Sequence, residues 1–141
     1  RMTDGKRTCA VATDMGCYDD SIVEHLKGLD CILIESNHDV NMLRVGRYPW
    51  FLKQRILSDH GHLSNEAAAL ALAEELKAES ESGELKRRIV LLAHLSRENN
   101  FPEMALATME NILQEYGFTA GKETRIDVLK RDCMSALYTC G

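Results

Sequence analysis

The sequence lacks the features that would assign it to several common protein classes. Its five cysteines, Cys9, Cys17, Cys31, Cys133 and Cys140, are odd in number and contain no Cys-x-x-Cys pair. That argues against a zinc ribbon or a disulfide scaffold and for reduced thiols, with a cytoplasmic location as the expectation. No apolar run approaches the roughly 18 residues that a membrane helix needs, and the start does not have the pattern of a signal peptide. No membrane association is expected. Cations are in the minority, 17 Lys and Arg against 22 Asp and Glu, for a net charge of -5 and a pI near 5.5. A chain-wide basic surface for nucleic acid is thereby excluded, although a local basic patch is not. There is no internal repeat and no low-complexity tract.

What remains is an ordinary soluble composition, 141 residues with 45% hydrophobic and 28% charged side chains, enough for one domain with a buried core. The opening is unusual: Arg1 precedes Met2, and the chain enters a strand within a few residues. Either a tag residue precedes a natural start, or the chain was cut from something longer.

Apolar runs and punctuation predict the order β-α-β-α-α-β-α-β, an α/β chain with a largely stacked sheet. Residues 8–13 form a first strand behind the turn-forming Asp4-Gly5, read as the second arm of a hairpin whose first arm is missing. A short helix over 21–27 follows, with Asp19, Asp20 and Ser21 as cap candidates and Gly28 as its end. Cys31-Ile32-Leu33-Ile34 and Ile89-Val90-Leu91-Leu92-Ala93 are unbroken apolar runs of the kind found in doubly covered central strands. Helices are expected from Trp50 onward after Pro49, over about 65–79 with Ser64 or Asn65 as cap, and over about 102–116 from Pro102. Residues 124–129 alternate and read as an edge or half-buried strand, with Ile126 and Val128 facing in.

Three polar tips follow β-type runs: Thr13-Asp14-Met15-Gly16, Asp59-His60-Gly61-His62-Leu63-Ser64-Asn65 and Ala93-His94-Leu95-Ser96. Ends of strands are where α/β proteins place their sites. Asp14, His62 and His94 are oxygen and imidazole donors suited to zinc, manganese or iron. Each also has a plain structural reading. Asp14 serves equally as a turn former or cap, His62 as a helper of the helix cap, and His94 as a hydrogen-bonded residue at a strand end. His38 and Asp39 read as a solvated loop, and His25 and His60 as surface residues. Arg44, Arg47, Lys53 and Arg55 flank Tyr48 and Trp50, a mixture that could track a nucleic-acid backbone. The alternative is a solvated helix face with its aromatics in the core.

Four motifs in register carry a resemblance. They are Glu35-Ser36-Asn37-His38-Asp39, Tyr48-Pro49-Trp50-Phe51-Leu52-Lys53-Gln54-Arg55-Ile56, Gly61-His62-Leu63-Ser64-Asn65 and Ala93-His94-Leu95-Ser96-Arg97-Glu98-Asn99-Asn100. Over residues 5–116 the chain resembles the YycJ/WalJ-type branch of the metallo-β-lactamase superfamily, relatives of ribonuclease Z and phosphodiesterases. The resemblance implies that Asp14 matches the metal-bridging aspartate and His94 the last metal-ligand histidine. It implies for His62 a catalytic place near the scissile phosphate, where it helps protonate a leaving group. A complete domain of this kind would hold two divalent ions, manganese, zinc or iron, and act as a metal-dependent nuclease of the duplex-DNA exonuclease type.

The departure is equally informative. The family's His-x-His-x-Asp-His motif is absent, because His60-Gly61-His62 lacks the following Asp-His. The separate histidine between that motif and the aspartate is absent too. The family fold is an αββα sandwich of two similar halves, and residues 1–141 look like its C-terminal half alone. Two ligands are too few for a tight two-metal site, so little hydrolysis is expected from this chain by itself. An uncovered sheet face would then pair with the missing N-terminal half or with a second copy. DNA is the implied partner, with a small phosphodiester or thioester, or a non-catalytic scaffold role, as the alternatives.

Overall fold

A computed structural model describes residues 1–139 of the chain, so Cys140 lies outside the described residues. Five strands form one sheet in the order β1-β2-β3-β4-β5. They are β1 (Met2–Thr3), β2 (Thr8–Ala12), β3 (Cys31–Glu35), β4 (Arg88–Ala93) and β5 (Thr124–Val128). β1 runs antiparallel to β2, and β2 to β5 are mutually parallel. The hairpin arm expected to be missing is therefore present as β1, joined to β2 through Asp4-Gly5. The Asp4 side chain accepts from the backbone N–H groups of Lys6 and Arg7 at 2.8 Å each, and Gly5 takes φ 89°.

The helices are α1 (Asp20–Leu26), α2 (Val40–Val45), α3 (Trp50–Ile56), α4 (Asn65–Ser82) and α5 (Pro102–Glu115). α2 is an element that the sequence pattern did not separate from its surroundings. It begins at Asp39, whose carboxylate accepts from the Met42 N–H at 2.8 Å. Asp39 is a cap and not part of a solvated loop. Ser64 caps α4 in the same way through the Ala67 N–H, and Gly83 ends it at φ 75°.

The parallel register sorts the side chains onto two faces. Ile32, Ile34, Val90 and Leu92 are fully buried on one face, together with α1, α4 and α5. α4 lies at the centre of this layer. Ala68, Ala69, Ala71 and Ala73 are buried with Leu72 and Leu76, so small side chains let it approach its neighbours on several sides. Each fully buried leucine here contributes roughly 2 kcal/mol. The other face carries the aligned row Val11, Leu33 and Leu91, with Cys9, Cys31 and Ile89 beside it. Val11 is 57% exposed and Leu33 is half-buried, so this apolar face is incompletely covered within the chain.

A buried ion cluster locks α4 to β4. Arg88 is fully buried and donates to both oxygens of Glu75 at 2.7 Å, and also to Glu79. Glu79 in turn accepts from the Gly28 N–H at 2.7 Å, tying in the end of α1. Burial pushes the Glu75 carboxyl up to about 8. Two carboxyls facing one guanidinium in a dry site favour retaining one proton between them.

Candidate metal centre

The C-terminal ends of three adjacent parallel strands converge on one cluster. β2 leads to Asp14, β3 ends in Glu35, and β4 leads to His94. His62 arrives from the loop between α3 and α4. Asp14, His62 and His94 each offer a donor atom, and these atoms lie within 4.8 Å of one another. The two imidazoles meet edge to face, with ring centroids 5.1 Å apart and planes at 71°.

Glu35 organises the cluster from beneath. Its carboxylate is fully buried, and its Oε1 accepts from Nδ1 of both His62 and His94 at 2.7 Å. Its Oε2 accepts from the Met15 N–H at 3.0 Å, which fixes the turn carrying Asp14. A carboxylate only accepts, so each Nδ1 donates to Glu35, and the same two nitrogens lie 3.8 and 3.9 Å from Oδ1 of Asp14. A carboxylate hydrogen-bonded to a histidine in this way fixes the orientation of its ring. The sequence reading gave Glu35 no role beyond its place in the motif Glu35-Ser36-Asn37-His38-Asp39. The available signal was a carboxylate directly closing the apolar run Cys31-Ile32-Leu33-Ile34.

The backbone is constrained to deliver these side chains. Asp14 and His94 are the two non-glycine residues with positive φ, at 59° and 57°, among the described residues. Such conformations are uncommon away from glycine and cluster at functional sites. The His94 turn is held by Asn37, whose side-chain amide donates to the His94 carbonyl at 2.8 Å and whose own carbonyl accepts from the Ser96 N–H at 2.7 Å. A buried network continues below: Ser36 Oγ donates to Asn65 at 2.6 Å, and the Asn100 amide donates to the carbonyls of Ser36 and Asn37. Close backbone approach fixes the other loop. A Cβ on Gly61 would overlap the Ile56 carbonyl, and one on Gly16 would overlap the Asp59 carbonyl. The Asp14 and His62 turns thus interlock only because both positions are glycine.

His38 is not a loop histidine either. It is 1% exposed, its backbone carbonyl accepts from the Asn65 N–H at 2.9 Å, and neither ring nitrogen has a partner among the described residues. Burial first, and the nearby His62 second, push its pKa down to about 4. His25 and His60 are exposed as expected. His60 nevertheless lines, with Asp14, His62 and His94, an open cavity of about 680 Å³. Tyr48, Arg55, Arg97, Glu98 and Arg131 complete much of its wall, and Arg97 is paired with Asp132 at 3.3 Å.

The donor set fits a divalent cation. Asp14 and Glu35 bring two carboxyl groups to a site whose other members are imidazoles, a set of hard oxygen and borderline nitrogen donors. A mostly parallel α/β sheet with one aspartate and two carboxylate-backed histidines at its strand ends thus defines a candidate metal-centre protein. The comparisons with known proteins narrow this class. The chain is 44% identical over 120 residues to exodeoxyribonuclease YycJ of Bacillus anthracis, covering 85% of this chain and 43% of that protein. It is 42% identical over 120 residues to exodeoxyribonuclease WalJ of Streptococcus pneumoniae, from strains D39 and R6, covering 42% of each. The chain is homologous to the YycJ/WalJ exodeoxyribonucleases and spans less than half the length of these relatives. No family model and no solved structure matches it. No helix among the described residues is long and apolar enough to cross a membrane.

Proposed function

We propose that this chain is the C-terminal half of a metallo-β-lactamase-like domain whose complete form is a metal-dependent phosphodiesterase, acting on duplex DNA as an exonuclease. The observation that carries this reading is the pair of histidines whose Nδ1 atoms share one buried carboxylate beside Asp14. The names of the homologues support the nucleic-acid substrate. Asp14 and His94 would hold metal, and His62 would face the phosphate or the leaving oxygen. When bound, divalent metal in such a site lowers the pKa of water and offsets charge on a phosphoryl group.

This chain's own residues then supply positioning. Glu35 fixes both imidazoles, Asn37 holds the His94 turn, and Arg55, Arg97 and Arg131 give the cavity wall a charge suited to phosphodiester oxygens. The donors within the chain are too few for two ions, so further ligands come from an N-terminal half. That half docks on the sheet face bearing Val11 and Leu33, where apolar area is left uncovered.

The test compares manganese-dependent degradation of end-labelled duplex DNA by the full-length parent, its His94→Ala variant and this 141-residue chain. Activity in the parent alone is expected. Equal activity in parent and variant would remove His94 from the site. Turnover of a chromogenic phosphodiester without turnover of DNA would reassign the substrate to a small molecule.

A further inference from the structure

One surface beside the cluster departs from one of its two sequence readings, the one that put its aromatics in the core. The segment 40–57 contains Arg44, Arg47, Lys53 and Arg55 and no acidic residue, in a chain whose net charge is -5. Its aromatics are not in the core: Trp50 is 69% exposed and Phe51 72% exposed, with Val45 exposed nearby in sequence. Lys53 does not belong to the surface charge. It is buried, and its Nζ donates to the Arg44 carbonyl at 2.6 Å, pinning α3 to the end of α2. Gly46 lets this hairpin close, since a Cβ there would stand 2.6 Å from Asn99 Oδ1. Among the described residues, no salt bridge engages Arg44, Arg47 or Arg55. The same hairpin supplies Tyr48, Leu52, Arg55 and Ile56 to the wall of the metal cavity.

Large exposed aromatics are costly to leave in water unless something covers them. Here they sit on α3, which also supplies Leu52, Arg55 and Ile56 to the cavity wall, and they are flanked in sequence by guanidinium groups that have no salt bridge among the described residues. Aromatic faces set among cations are the chemistry that holds single-stranded nucleic acid, with bases stacked on rings and phosphates on arginines. We propose that the α2–α3 hairpin is a single-strand platform: Trp50 and Phe51 stack unpaired bases of the strand that enters the cavity, while Arg44, Arg47 and Arg55 follow its backbone. This inference rests on the nuclease reading and adds to it a requirement. The strand must reach the cavity unpaired, so a frayed or overhanging end is the preferred substrate.

Trp50 is the sole tryptophan of the chain, which makes the test direct. Its fluorescence is followed while a single-stranded oligothymidylate is titrated into the 141-residue chain in chelator, so that hydrolysis is not needed. Quenching is expected, stronger for the single strand than for a blunt duplex. Phe51→Ala should weaken binding by roughly 10- to 100-fold, the range for one lost base–aromatic stack. For Trp50→Ala the same loss is read by fluorescence anisotropy of a labelled strand. Arg44→Ala and Arg47→Ala should each lower the salt slope of the logarithm of the binding constant by about 0.7. These side chains are exposed, and circular dichroism checks that the variants fold.

Three results would overturn the proposal: no quenching, binding unaffected by Phe51→Ala, or an emission change that follows protein concentration instead of oligonucleotide. The last would mark a protein-contact face. Quenching without DNA cleavage by the full-length parent would refute the nuclease reading and support the platform. Cleavage by the parent with no quenching in the chain and no effect of Phe51→Ala on the parent's DNA affinity would do the reverse.

Discussion

Replacing Glu35 by glutamine separates the two jobs that its carboxylate performs. In the wild-type chain Oε1 receives both histidine Nδ1–H donors at 2.7 Å and Oε2 receives the Met15 N–H at 3.0 Å. Glutamine keeps the shape and one acceptor oxygen but loses the charge, and its amide nitrogen cannot accept. A carboxylate behind a ligating histidine is typically worth 10- to 100-fold in metal affinity, which is about 1.4–2.7 kcal/mol. Here one carboxylate serves two histidines, so the upper end is expected.

Without metal two effects oppose each other. Glu35 is fully buried, so removing its charge relieves desolvation, while the glutamine nitrogen cannot replace one of its acceptor oxygens. Glu35→Gln should therefore cost metal-free stability no more than about 1–3 kcal/mol. The assay is zinc titration calorimetry on the full-length protein, paired with urea denaturation in chelator. Unchanged zinc affinity in Glu35→Gln would refute the assignment of Glu35 as the group that prepares the two imidazoles. A large loss of metal-free stability would show that it is a structural residue instead.

Three further outcomes follow from the same geometry. Arg88→Met leaves Glu75 and Glu79 facing each other in a dry site and should cost about 3–5 kcal/mol in urea denaturation; a loss below about 1 kcal/mol would contradict the buried cluster. Gly61→Ala forces a Cβ into the Ile56 carbonyl and should destabilise by about 1–3 kcal/mol or more, with loss of metal binding as the His62 turn is displaced. His38, with a folded pKa near 4 against an ordinary 6.5, binds its proton more readily when unfolded. Its stabilising effect is thus complete above about pH 6.5 and is lost as pH falls toward 4. His38→Phe should remove on the order of 2 kcal/mol of the stability difference between pH 7 and pH 4.5, measured by denaturation in chelator. An identical pH dependence in the variant would rule out His38 as the source.

Much of this protein is legible in its residues without coordinates. The apolar runs at Cys31-Ile32-Leu33-Ile34 and Ile89-Val90-Leu91-Leu92-Ala93, the Ser64 cap and the alanine-rich helix after it are local signals, set by side-chain periodicity and short-range hydrogen bonding. They suffice for the α/β class and for placing Asp14 and His94 beyond strand ends. The four motifs suffice for the relationship to the YycJ and WalJ exodeoxyribonucleases. Other features depend on which segments become neighbours. Glu35 carried no role in the sequence because its two histidine partners lie 27 and 59 residues away in the chain. His38 read as solvated because the α4 entry that buries it is packed against it only in the fold. Trp50 was weighed as a core residue because apolar character alone does not tell which face of a short helix meets the protein and which meets water. Local chemistry determines what each segment can be; burial, charge pairing and the meeting of strand ends are properties of the whole arrangement, and only tertiary structure decides them.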